Sequence, residues 1–214
     1  LHEITGPLKI HRAHNLCLHG DGPGTILHVH GVDNEGVSGI WVHACQDVAI
    51  DNMVVLADAV PALMSIMTGE ESKITRGITL RGLTLFNRTL AGEGKTNNCA
   101  IRIGDAQGVV IEDCRLIADT GIVSLFGDKL PDLPTPATVT RASSRLDYGE
   151  GVSDLRMANV SILYRRYGIW SLKSMGWHLR ECSITSLPTE MGPAMQPAKE
   201  SAKQPAHKAM SVHV

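Results

Sequence analysis

The chain has 214 residues, a formal net charge of −2 and a pI near 6.6, so it carries no general electrostatic attraction for nucleic acid or an anionic membrane. Its hydrophobic fraction is 43% but its aromatic fraction only 4%, which leaves Ile, Leu and Val to build the core, a composition that favours strands. No apolar run is long enough to span a bilayer, and the five cysteines show neither Cys-x-x-Cys spacing nor an evident pairing scheme, so they read as buried free thiols.

The chain opens Leu1-His2-Glu3 with no charged-then-apolar leader, which reads as a processed chain or a piece of a longer one. A Gly-rich turn follows in LCLHGDGPGTILHV at 16 to 29. From there one phrase recurs: QDVAIDNMVVLAD from 46, RGITLRGLTLFNR from 76, GVVIEDCRLIAD from 108, SDLRMANVSILYR from 153 and MGWHLRECSIT from 175. The first apolar residues of the five phrases, Val48, Ile78, Val109, Leu155 and Trp177, fall 30, 31, 46 and 22 residues apart. Within each phrase apolar residues alternate, a polar or small residue intervenes, and alternation resumes. That predicts two short strands around a tight bend.

The bend residues are Asn52, Gly82, Asp113, Asn159 and Glu181. Four of the five are types that tolerate a left-handed backbone or bond their own turn. A third strand is predicted upstream of the phrase at Ile40-Trp41-Val42, Ile101-Arg102-Ile103 and Ile169-Trp170-Ser171. Three strands per repeat at these periods describe a solenoid, with the 22-residue step as the minimal coil and longer steps carrying loops. The largest insertion is placed at about 127–153. Gly121-Ile122-Val123 before it still reads as strand, and Leu155 after it resumes the pattern.

If the coils stack in parallel register, equivalent residues lie about 4.8 Å apart. The residues just before each bend (Asp51, Arg81, Glu112, Ala158, Arg180) and those further along (Asp58, Arg88, Asp119, Arg165) then form columns that largely alternate acid and base, which reads as solvated ladders. About six coils make a stack ~30 Å long, and its two open ends call for a neighbouring domain or subunit to cover them. From Leu187 to Val214 the prolines at 188, 193, 197 and 205, set among Ala, Lys and Gln, mark a tail or linker, leaving 1–186 as the folded domain.

These repeats, with the Gly-rich turn at 16 to 29, resemble the right-handed parallel β-helix of the pectin-lyase-like superfamily, over about residues 8 to 186. The resemblance implies an all-β, right-handed, single-stranded parallel β-helix. Enzymes of that kind act on acidic polysaccharides. The polygalacturonase-like motifs Asn-Thr-Asp, paired aspartates, Gly-His-Gly and Arg-Ile-Lys do not occur here; Glu112-Asp113 and Arg102-Ile103-Gly104 are the nearest fragments.

Several residues are candidates for chemistry. Asp51 with Glu112, or Asp58 with Asp119, would stand about two strand spacings apart, within the range used by paired carboxylates in glycoside cleavage. His28 and His30 share one side of a strand, and His43 could approach from another coil, but without a third ligand at clear spacing neither a metal nor any cofactor is assigned. Trp41, His43, Arg102, Trp170 and Lys173 are the expected ligand-binding residues, the indoles stacking on sugar rings and the arginine forking onto a carboxylate or sulfate. The functional expectation is a non-catalytic module of a larger surface assembly that grips polysaccharide, outside the cell or at its surface. A lyase or glycosidase using the long loop and an acid pair is the first alternative, and an architectural spacer the second.

Overall fold

The structure is a computed structural model that describes residues 1–30, 38–58, 60–68, 74–88, 98–125, 152–171 and 174–188, and the statements below concern these. They contain no helix. The strands in chain order are β1 (His2–Thr5), β2 (Leu8–His11), β3 (His14–His19), β4 (Ile26–His30), β5 (Ile40–His43), β6 (Gln46–Asp51), β7 (Val54–Asp58), β8 (Ala62–Met67), β9 (Thr75–Arg81) and β10 (Thr84–Arg88). They continue as β11 (Cys99–Gly104), β12 (Ala106–Glu112), β13 (Arg115–Leu125), β14 (Val152–Ser153), β15 (Arg156–Ala158), β16 (Ser161–Ser171), β17 (Ser174–Met175), β18 (His178–Arg180) and β19 (Ser183–Ser186).

Every pairing is parallel, and from β1 to β10 each strand pairs with the one three places later, whereas β11 pairs with β13. Three ladders result. The first runs β2, β5, β8, β11 and then the C-terminal halves of β13 and β16. The second runs β3, β6, β9, β12 and then the short pieces β14, β15, β17 and β18. The third runs β1, β4, β7, β10, the N-terminal halves of β13 and β16, and β19. Because β13 and β16 are long enough to belong to the first and third ladders at once, those two merge into one 11-stranded sheet facing the 8-stranded second ladder. This all-parallel, nearly closed arrangement is compatible with a β-helix.

The core lies between the sheets and follows from the alternation in the repeated phrase. Val48, Ile78 and Val109 stack in one inward column and Ile50, Leu80 and Ile111 in the next, all at most 1% exposed. Each such aliphatic side chain contributes roughly 1.5–3 kcal/mol by leaving water.

The predicted bends are where the backbone turns left-handed: Asn52, Gly82, Asp113, Asn159 and Glu181 have φ between 52° and 61°. Their N–H groups donate to the carbonyls of Arg81, Glu112, Ala158 and Arg180 in the following repeat, except at the last corner, so the sharp turn leaves few orphan donors. A second left-handed column was not anticipated. Asn15, Asp47, Gly77, Gly108, Asp154 and Gly176 share φ values of 53° to 67° within the second ladder. Glycine at 77 also makes room, since a Cβ there would strike Asp47 Oδ1.

The first charge column stands in register throughout, the second only at its start. Asp51, Arg81, Glu112, Ala158 and Arg180 are successive partners, with His19 added before Asp51. Asp58 pairs with Arg88, but further along a bulge sets the single residue Asp119 against Arg165 and Arg166, and Asp119 is buried rather than a member of a solvated row. Most of the expected 127–153 insertion and all but two residues of the 187–214 tail lie outside the described residues. The last two positions of that insertion form β14.

Cys45, Cys99 and Cys114 are buried free thiols as expected, but Cys17 is exposed and Cys182 half-buried. Burial pushes the Cys99 thiol up to about 12 and that of Cys114 up to about 11. At neutral pH both stay protonated and unreactive. Ellman's reagent is therefore expected to label Cys17 fast and Cys182 more slowly, while the other three react only after denaturant is added. Five fast thiols in the native protein would contradict this packing.

Candidate functional site

The first ladder delivers the expected row in register: Trp41 pairs with Ser65, Ser65 with Arg102, Arg102 with Val123 and Val123 with Trp170. Lys9 extends the row before Trp41, and the Lys9 ammonium lies 5.5 Å from the centre of the Trp41 ring. His11 and His43 stack beside them at 5.5 Å. The signal for this extension was present in the sequence, because Leu8-Lys9-Ile10-His11 is the same phrase as Ile40-Trp41-Val42-His43. The middle of the row is not open surface. Ser65, Arg102 and Val123 are 2%, 4% and 0% exposed, Arg102 is already engaged, and Val123 packs with Ala62, Cys99 and Trp170 in a small cluster. Trp41 and Trp170 are half-buried, and Trp41 Nε1 is buried with no hydrogen-bond partner among the described residues. Lys173 lies outside the described residues.

The acid pairs are separated by arginine. Arg81 stands between Asp51 and Glu112 in the column and binds Glu112 at 3.0 Å, while His19 bonds Asp51. Arg88 holds both oxygens of Asp58, at 2.7 and 2.9 Å. Charge interleaving of this kind is the arrangement of an ion-pair ladder. Of the three histidines weighed as metal ligands, His28 and His30 are together on β4, but His43 sits on the first ladder and they on the third.

An open concavity was not foreseen. A groove of about 540 Å³ runs along the C-terminal end of the second ladder, lined by Glu112, Arg156, Ala158, Trp177, His178 and Arg180. Ala158 creates it: the small side chain breaks the charged column between Glu112 and Arg180 and leaves a depression there. Trp177 occupies the inward column that Val109 and Leu155 fill with aliphatic residues and packs against the core, and its Nε1 is buried with no hydrogen-bond partner among the described residues. Glu112 is held by Arg81 and Arg156 by Asp154 at 3.1 Å, so the acid of the groove is neutralised. Arg180 and His178 are exposed and have no ion-pair partner among the described residues. The groove thus offers apolar walls, among them the edge of an indole that also packs against the core, and unneutralised positive charge to one ligand. The sequence does carry a signal for it, an alanine in a column of charges.

Compared with protein-family models, curated proteins and solved structures, the chain matches none. The site therefore has to be read from its own chemistry.

Proposed function

We propose that this chain is a right-handed parallel β-helix module of about six coils that binds an acidic polysaccharide without cleaving it. The observation that carries the reading is the groove, where Trp177 and apolar walls adjoin Arg180 and His178, which have no ion-pair partner among the described residues. An aromatic with an apolar surround accepts the hydrophobic face of a sugar ring, and a guanidinium forks onto its carboxylate or sulfate. The interleaved arginines favour binding over hydrolysis, because neither Asp51 with Glu112 nor Asp58 with Asp119 forms a free pair of carboxylates across a cleft. The unpaired strand edges at the two ends of such a stack suit cover by a neighbouring domain or subunit. A surface or extracellular setting suits such a ligand.

The test is an array of neutral, uronate-bearing and sulfated oligosaccharides, paired with an assay for unsaturated and reducing ends. The chain should retain the anionic ligands, and His178→Ala with Arg180→Ala should weaken binding about tenfold or more while leaving the fold intact, since both side chains are exposed. Loss of binding in Trp41→Ala with Trp170→Ala instead would move the site to the first ladder. New chain ends would establish a lyase or hydrolase. A folded chain with neither binding nor cleavage would leave the architectural reading.

A further inference from the structure

The third ladder places a different chemistry together. Glu3 on β1 is the register partner of His28 on β4, and His30 lies two residues on, on the same outward side. One donor atom from each of Glu3, His28 and His30 falls within 4.8 Å of the others. The two imidazoles nearly touch, with centroids 3.7 Å apart. No hydrogen bonds close the cluster: His30 Nε2 is 3.8 Å from Glu3 Oε1, and His28 Nε2 is 4.0 Å from Asp58 Oδ2, both beyond hydrogen-bond range. Three lone-pair donors converge from two strands with nothing bonded between them.

We propose that Glu3, His28 and His30 form a binding site for a divalent transition-metal ion of the zinc, cobalt or nickel type. Two imidazoles and one carboxylate are borderline ligands that select such ions over calcium or magnesium, which need more oxygen donors. Tetrahedral zinc at about 2.0–2.1 Å from each ligand sets the donors roughly 3.4 Å apart, a contraction that side-chain rotation at this surface supplies. Two of the three are well exposed, with Glu3 at 63% and His30 at 41%, while His28 at 22% anchors the site against the sheet. The fourth position is left to water. Asp58, bound to Arg88, is the nearest further carboxylate, 4.0 Å from His28 Nε2. A bound ion would tie β1, the terminal strand of its ladder, to β4, so metal occupancy acts as a clamp on that end of the sheet.

The test titrates the whole chain with Co²⁺, whose visible absorption reports nitrogen and oxygen ligation, then displaces it with Zn²⁺ while amide exchange is followed in β1. One equivalent should bind, and exchange in residues 2–5 should slow. His28→Asn with His30→Asn should abolish binding, and Glu3→Gln should weaken it about tenfold or more. The chain has ten histidines, so His11→Asn with His43→Asn serves as the control and should bind like the unaltered chain. The proposal is overturned by no binding, by binding that survives the His28 and His30 changes or disappears in the control, and equally by a Glu3→Gln variant that binds as before.

Discussion

Asn87→Ala is expected to lower the unfolding free energy by about 3 kcal/mol, in a chain whose charged surface substitutions should each cost far less. Asn87 ends the inward side of β10 at 1% exposure, beside the small residue Ala57 of β7. Its Oδ1 accepts from the Val60 N–H at 3.2 Å, and its Nδ2 donates to the carbonyls of Val60 at 2.7 Å and Cys99 at 2.9 Å. One side chain thus satisfies three backbone groups where the chain passes from the third ladder to the first. Removing it strands all three, each worth about 1–3 kcal/mol if left dry, though the three do not add in full. Asp at this position should be worse than Ala, since it loses both donated bonds and buries a charge. Urea denaturation measures the cost, and a loss below about 1 kcal/mol would mean that water takes over the bonds.

A loss of similar size, about 3 kcal/mol, is expected for Gly121→Ala. Gly121 lies inside β13 where that strand passes from the third ladder into the first without a turn, and Gly168 does the same in β16. A methyl at 121 would collide with Ile162 Cγ2 and with the carbonyl oxygen of Gly168, and one at 168 with Ile184 Cγ2. Backbone is one of the obstacles, so the clash is not relieved by a rotamer change. Gly24→Ala is the matched control: its Cβ meets nothing within 4 Å and its φ is not left-handed, so it should stay within about 0.5 kcal/mol of the parent. Equal midpoints for the two variants in thermal melts would show that the strands can separate at the junction.

The regular part of this architecture was legible from a few residues. Apolar alternation around Asn52, Gly82, Asp113 and Asn159 marked both the strands and the left-handed corners between them, because those residue types have a local physical reason to be there. Register followed too, since stacking the bends puts Asp51 beside Arg81 and Trp41 in line with Arg102. Features that depend on what lies opposite were harder to read. The role of Asn87 depends on residues 60 and 99 reaching the same corner, and the burial of Arg102 on what lies over the outward face. Glu3 could not be matched with His28 because β1 precedes the repeated phrase and is only four residues long. The groove at Ala158 was hidden for a similar reason: an absent side chain shapes it, and absence leaves little trace in a pattern of apolar positions.

The parallel pairing has a consequence for how the chain finds its fold. Partner residues in every ladder are separated by between 21 and 47 positions along the chain, from Cys99 with Thr120 to Thr120 with Tyr167. No pairing requires the two termini to meet. Loop-closure entropy grows only logarithmically with length, so each search is comparably demanding and is fixed by the repeat rather than by the total number of residues. Contact order relative to length would fall as further repeats were appended, and a longer protein of this design could grow by local addition onto an edge already in place.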